Sequence, residues 1–478
     1  MDFRNILKFI PEVKQPEGKL GFKDKAKWTL IVLVSFFILA NIPLFGLSQN
    51  ALSRFQYLAI ILGTNFGSII SLGIGPIVMA SVILQLLTGA GILNIDTTTV
   101  EGRKFFQGLQ KILVLFFIIF EALVYVLMQG LQAQPGFTWL VVLQLVLGGI
   151  AIYYMDDLMT KWGLGSGISM FIAAGVSWRI ITSSLQFIDQ QGNNCLLDFS
   201  GTACSGKILV LIQSIITRQN VELVSAAAAI AVTIGIFLLV VWAQSLKVEI
   251  PLSFGKIRGT ATAVKWPLSF FYASVIPVIL TAALVANIQL FGGIFETSAA
   301  SCAAGTCSGL AQFAAHFSFL GHFVNGQAVS GLAFWIGYTN VLDLLIRGGF
   351  LPQYILQGII HAIFFMAFST LFAIFWVKTS SMDAKSQAHK IASSGLQVAG
   401  FRQDERVLET ILDRYVMPLT VMGGLAIGLL AALTDLMGAL VSGTSILLVI
   451  MIANQFYQNI AQQHPEIINP SLGRFVNK

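Results

Sequence analysis

Two carboxylates, Glu121 and Asp435, sit well inside long apolar runs, with no basic residue near them in sequence. An ionisable group at membrane depth is the kind of residue that binds an ion or relays a proton. A carboxylate hydrogen-bonded near a helix end has the same appearance in sequence. Four cysteines form two close pairs, Cys195/Cys204 and Cys302/Cys307. Each pair closes a disulfide if its loop faces an oxidising space, and otherwise stays as free thiols. Neither pair has Cys-x-x-Cys spacing and no histidine lies near either, so no metal site is expected. The five histidines (His316, His322, His361, His389 and His464) are scattered. The G-x-S-x-G and H-E-x-x-H patterns are absent, which argues against a serine nucleophile of that kind and a membrane zinc protease. Gly163-Leu164-Gly165-Ser166-Gly167 has the glycines of a phosphate loop but neither a preceding strand nor a following Lys-Ser/Thr. No enzymatic activity and no cofactor are expected.

The elements that position these residues belong in a membrane. Of 478 residues, 56% are hydrophobic and only 10% charged, with mean hydropathy +0.81. A soluble domain carries roughly 25% charged residues. No cleavable signal peptide is expected, because residues 1–27 form a basic arm, amphipathic through Ile6, Leu7, Phe9 and Ile10. Ten spans are predicted near 28–47, 74–87, 112–129, 138–154, 163–181, 224–243, 269–291, 355–377, 416–436 and 439–457. The fold class is an all-α polytopic membrane protein. An N-terminal half (28–185) is joined by an external loop (186–223) to a C-terminal half (224–458), with a tail at 459–478. Basic loops fall at 244–266 and 378–414, and the stretch Gly331 to Leu345 fits neither a span nor a surface helix clearly. All but five of the 28 Lys and Arg lie on the side that holds both termini; the exceptions are Arg54, Arg179, Lys207, Arg218 and Arg347. The basic side is cytoplasmic by the positive-inside rule. Five plus five spans suit an inverted repeat, although no residue-level similarity links the halves.

One stretch does not fit the simple pattern. Between Arg54 and Asp96 lie 41 uncharged residues. As one helix they would run about 60 Å, twice the ~30 Å hydrocarbon core. The glycines Gly63, Gly67, Gly73 and Gly75 and then Pro76 mark a break. A half-helix at about 52–70 followed by a full span is the simplest reading. Broken backbone at that depth needs protein or a water-filled cavity around it. A kinked span with a buried surface hairpin fits the same residues. Near the glycine clusters, Ile74 and Val78, and again Ile168 and Ile172, are four apart and share a helix face. An aliphatic constriction that gates by dewetting has this pattern, and so do lipid-facing residues.

Several motifs carry a resemblance. Leu72-Gly-Ile-Gly-Pro-Ile-Val-Met-Ala-Ser-Val-Ile-Leu-Gln-Leu-Leu87 resembles span 2 of the SecY family, the pore subunit of the Sec protein-conducting channel. Gly163 to Ile172 resembles its span 5, Ile276 to Leu280 with Ala286 to Gln289 its span 7, and Gly443 to Leu448 its span 10. Ile250 to Leu252 and Gly255 to Gly259 resemble the loop before span 7, and the likeness runs from Pro11 to the tail with gaps in the external regions. It is nearest the archaeal and eukaryotic branch.

The resemblance implies a clamshell of two five-span halves around an hourglass pore, through which unfolded polypeptides cross and from which membrane helices leave sideways. It implies a pore ring of Ile74, Val78, Ile168, Ile172, Ile279 and Leu448, and a plug that includes Phe55, Asn65, Gly67 and Gly73. Spans 2 and 3 against 7 and 8 would form a lateral gate, with Met79, Gln85, Val275 and Ile276 in it. Lys256, Arg258 and Arg402 would contact the ribosome. The implied partners are a SecE/gamma-type and a SecG/beta-type small subunit, signal sequences and nascent chains, and membrane lipid. The implied location is the cell membrane, or the endoplasmic reticulum membrane in a eukaryote, with both termini cytoplasmic. The chain departs from the pattern at Val275 (usually Asn), Met79 (usually Thr) and Asn65 (often Arg), and lacks the Asp-Pro common before span 8. A gate with fewer polar groups leaves Gln85 short of a partner. The competing class is a secondary transporter with discontinuous helices, which would need a polar site at the midplane.

Overall fold

Lipid offers no hydrogen bonds to a bare backbone, so each long apolar run must satisfy itself as a helix. The computed structural model describes residues 12–18, 20–47, 67–89, 91–93, 95, 99–127, 131, 133–187, 195, 204–254, 264–273, 275–303, 316–324, 327–349, 351–393, 396–398 and 405–463. The first half of the chain forms α1 (Phe22–Asn41), α2 (Gly75–Gly89), α3 (Val100–Leu127), α4 (Thr138–Trp162) and α5 (Gly167–Leu185). A short helix α6 (Lys207–Thr217) leads to α7 (Asn220–Gln244). Strands β1 (Lys247–Phe254) and β2 (Val264–Ser269) precede α8 (Ile276–Ala303). Next come β3 (His322–Val324), β4 (Gln327–Ser330), α9 (Leu332–Ile336), α10 (Val341–Arg347) and α11 (Gln353–Thr379). The chain continues through α12 (Ala384–Ser393), β5 (Leu396–Val398), α13 (Glu405–Leu436) and α14 (Gly443–Gln463).

The ten membrane helices are α1 to α5, α7, α8, α11, α13 and α14. Among the described residues, seven of them are long and apolar enough to cross a bilayer on those grounds alone. The helix α2 has only 15 residues, about 22 Å at helical rise, short of a ~30 Å core. The turns before it supply the missing depth. Faces divide as lipid requires. On α1, Leu30, Val34 and Ile38 point outward while Val32, Phe36 and Ala40 are buried. In the N-terminal half α1 packs on α4, and α3 on both α2 and α4. In the C-terminal half α11 packs on α8 and along α13, and α14 on α7 and α13. The halves meet twice: α2 lies against α8 and α11 on one side, and α5 against α14 on the other. One apolar core runs through both.

Several expected boundaries move. Residues 67–70, expected to finish a half-helix, form turns, because Gly67 takes φ +91° and Gly73 φ +55°. The span expected from Ser269 begins at Ile276, since residues up to Ser269 pair as β2. The span expected from Val416 begins at Glu405, where Leu408, Leu412 and Val416 bury one stripe in a second cluster with Ala384, Ala388 and Ile391 of α12. The stretch Gly331 to Leu345 becomes two short helices, too short to cross a membrane. The two basic loops, distant in sequence, share one antiparallel sheet in the order β2-β1-β5. In β1, Pro251 pairs with Lys265 of β2, and the described pairing with β5 starts at Leu252. The Tyr272 hydroxyl also ties the loops by donating to the Met382 carbonyl at 2.6 Å. Burial, with Asp383 nearby, pushes that phenol up to about 12.

The described part of the N-terminal arm is extended. Glu12 pairs with Lys111 of α3 and lies 3.6 Å from Lys161 of α4. The Val13 N–H donates to Asp157 at 3.0 Å, and Trp162 Nε1 donates to the Lys14 carbonyl at 2.8 Å.

Candidate pore and gate

Irregular backbone at membrane depth must find partners, and residues 67–75 find them. The Leu44 N–H donates to the Gly67 carbonyl at 2.7 Å, and the Ile69 N–H to the Ile42 carbonyl at 3.0 Å. Ser71 Oγ accepts from the Gly67 N–H at 2.8 Å and donates to the Ser68 carbonyl. Turn bonds Gly73 to Ile70 and Gly75 to Leu72 close the segment. Ile70 and Leu72 are fully buried. Support comes from α4, where a Cβ on Gly148 would stand 1.9 Å from the Ile69 carbonyl oxygen. Only glycine permits that approach.

This segment delivers Ile74 and α2 to a cavity lined from both halves. Ile74, Val78, Ile172, Ile279 and Leu448 all line it, so the structure brings together five of the six expected ring residues. They come from the turn before α2, α2, α5, α8 and α14, and all are buried. The sixth, Ile168, is half-buried in the first turn of α5 and packs on the same core outside the lining. Val176, one turn beyond Ile172, lines the wall instead.

Behind the aliphatic side the wall is polar, with Gln289, Tyr338, His361, Asp435, Ser442, Thr444 and Ser445. Sequence reasoning missed most of these. His361 is buried on α11, with Nδ1 2.7 Å from the Ile336 carbonyl and Nε2 3.7 Å from Asp435 Oδ2. Asp435 accepts from the Thr444 N–H at 2.7 Å and from the Thr444 hydroxyl. It is thus a carboxylate bonded near a helix end, the plainer of its two expected forms. Polar residues inside apolar spans tend to face the protein interior, and that was the signal available for His361 and Thr444. Glu121, also buried, lies outside this cavity, and neither of its oxygens has a hydrogen bond among the described residues.

The expected gate residues lie where the halves meet. Gln85 is buried on α2, and its Oε1 makes no hydrogen bond among the described residues. Leaving such a group unpaired costs about 1–3 kcal/mol. Val275 is buried just before α8, and its carbonyl accepts from the Ile279 N–H at 3.2 Å. Met79 and Ile276 are half-buried against the shared core. At the end of α2, Gly89 touches the Phe375 ring of α11 so closely that a Cβ would stand 2.3 Å from it.

Other expected residues fall elsewhere. Phe55, Asn65, Lys256, Arg258, Arg402 and Cys307 lie outside the described residues, and Cys302 is in the last turn of α8. Cys195 and Cys204 form a disulfide with Cα atoms 5.6 Å apart, and the Cys204 N–H donates to Gln213 of α6.

Comparisons with known proteins agree with this fold. The family model for SecY matches residues 68–457. The protein translocase subunit SecY of Methanothermobacter thermautotrophicus is 39% identical over 477 residues, covering 99% of this chain and 98% of that one. Among solved structures, that of a protein-conducting channel has TM-score 0.80 and 36% identity, covering 98% of both chains. Sec61 in the canine ribosome–channel complex from the endoplasmic reticulum has TM-score 0.77 and 35% identity, again covering 98% of both.

Proposed function

The chain belongs to the SecY family, and on that premise we propose which of its residues do the work of a protein-conducting channel. It is the pore-forming subunit of a translocon, a membrane protein through which unfolded polypeptides cross and from which membrane helices pass into lipid. The work is passage, and the ring is where passage is controlled. Ile74, Val78, Ile172, Ile279 and Leu448 form the constriction, with Ile168 one turn from it on α5. Aliphatic side chains offer a threading backbone no hydrogen bonds, so they seal around varied side chains without holding any.

The plug runs over about 52–70 and ends in the buried turns at Gly67 and Gly73. The gate lies between α2 and α3 on one side and α8 and α11 on the other, with Met79, Gln85, Val275 and Ile276 in it. An apolar signal helix opens this gate to the extent that it binds the open state better than the closed one. The loops that share the β2-β1-β5 sheet dock the ribosome through Lys256, Arg258 and Arg402, a reading supported by the presence of Sec61 in a ribosome–channel complex. Small single-span subunits of the SecE and SecG types complete the channel. Both termini and the basic loops face the cytoplasm, which the asymmetry of Lys and Arg supports.

The observation that carries this reading is the convergence of five aliphatic side chains from both halves on one cavity. The test is to crosslink a stalled nascent chain to single cysteines at positions 74, 78, 172, 279 and 448. Crosslinks at these positions and none at lipid-facing Leu30 or Ile363 are expected. An equal yield at both sets removes the ring assignment.

A further inference from the structure

The polar wall of the cavity holds one carboxylate in contact with three helices. Asp435 is 3% exposed and sits in the last turn of α13. A carboxylate at a helix C-terminus faces the negative end of the macrodipole, whereas at a helix N-terminus it faces the positive end. Asp435 resolves this by reaching across the turn to the start of α14. The Thr444 N–H donates to Oδ1 at 2.7 Å and the Thr444 hydroxyl donates to Oδ2. The chain closes tightly here, since a Cβ on Gly443 would stand 2.1 Å from Thr434 backbone. Leu448 follows Thr444 by four residues, one helical turn along the same face, and both line the cavity.

On its other side Asp435 meets the gate helix. His361 Nε2 of α11 stands 3.7 Å from Oδ2. The Ile336 carbonyl can only accept, so Nδ1 carries its proton. Nε2 makes no hydrogen bond among the described residues. The helices α11 and α13 are in backbone contact over two turns. A Cβ on Gly424 would stand 2.8 Å from Thr370 Cα, and one on Gly428 2.7 Å from the Phe365 carbonyl oxygen. They therefore move as one body. The helix α14, by contrast, also packs on α5 and α7, and α5 belongs to the other half. Something must decide which body its first turn follows.

We propose that Asp435 is a positioning residue that ties the first turn of α14, and with it Leu448, to the α11–α13 unit, so that the ring follows the gate helix. This rests on Leu448 being part of the seal. In the closed channel the tie holds Leu448 against Ile74 and Val78. When α11 leaves α2, Asp435 carries the start of α14 with it, and the ring widens as the gate opens. The effect of Asp435 is on where Leu448 stands.

The test uses the assembled channel in planar bilayers, with resting conductance and signal-peptide-opened conductance measured for each variant. Asp435→Asn and Thr444→Val are each expected to raise resting conductance about tenfold, which corresponds to about 1.4 kcal/mol. Thr444→Ser keeps the hydroxyl and is expected to behave as the original chain. Opened conductance is expected to stay unchanged throughout. The double variant His361→Phe with Asp435→Asn is expected to leak no more than Asp435→Asn alone. Unchanged resting conductance in Thr444→Val and Asp435→Asn overturns the proposal. So does a Thr444→Ser channel as leaky as Thr444→Val, or an opened conductance that falls in parallel, which marks a general folding defect. Replacing Ile74, Val78 and Ile172 together by Gly separates the two readings. If that channel leaks and the Asp435 and Thr444 variants do not, only the positioning role fails. If it does not leak either, the ring reading fails first.

Discussion

Gly148 and Ile69 show how much a single missing carbon decides. The broken segment at 67–74 survives inside the membrane because its polar groups are bonded and because α4 approaches to the Ile69 carbonyl. Gly148→Val puts a branched side chain where a Cβ alone would stand 1.9 Å from that oxygen. The backbone must shift, at a cost on the order of 1–3 kcal/mol for overpacking. The expected outcome is a lower thermal stability and a raised resting ion leak, read by melting and bilayer conductance. A variant with the stability and leak of the original chain contradicts the close contact. Pairs such as Ile74/Val78 and Ile168/Ile172 were visible as shared helix faces. Nothing in spacing distinguishes a ring from a lipid-facing stripe, because both are aliphatic. Val176 and His361 line the cavity through packing between elements, which no local pattern carries.

At the scale of elements, helices were the easiest features to read. Their apolar runs had to be self-bonded in lipid, so ten runs became ten helices. Ends were harder, because capping and short strands compete there. The strand β2 displaced the expected start of α8, and an amphipathic stripe extended α13 by three turns toward α12. The N-terminal arm is an element held by charge. Glu12 is bonded to Lys111, with Lys161 near, and these partners hold its carboxyl below the usual carboxylate range of about 4.5. A depressed carboxylate contributes to attachment above its unfolded value and ceases to do so as pH falls through its lower folded value. The side chain is half exposed, so the contribution is modest and salt-sensitive. Limited proteolysis is expected to find residues 12–18 protected near neutral pH and increasingly cleaved below about pH 4.5. Glu12→Gln is expected to lose that pH dependence and to be cleaved more readily at neutral pH. Equal protection of both chains at every pH removes Glu12 from the attachment.

Over the whole molecule, the asymmetry of charge and the meeting of two halves set the function. The basic loops lie on one side in the sequence and join in one sheet in the fold. Reversing charge at Arg258 and Arg402 is expected to weaken ribosome binding severalfold at low salt and to flatten its sensitivity to salt. Co-sedimentation across a salt series reads this. Equal binding at low salt reduces those residues to determinants of topology. The sequence by itself determined that this is a ten-span membrane protein with a broken second span, because hydropathy, helical rise and the chemistry of glycine and proline act locally. It also carried the motifs that place the chain among protein-conducting channels. The tertiary structure alone decided which aliphatic residues share a cavity, which orphaned polar groups stand beside them, and how Asp435 meets both α11 and α14. Those are contacts between elements far apart in the chain, and they follow from packing angles and close backbone approach, which a linear pattern does not encode.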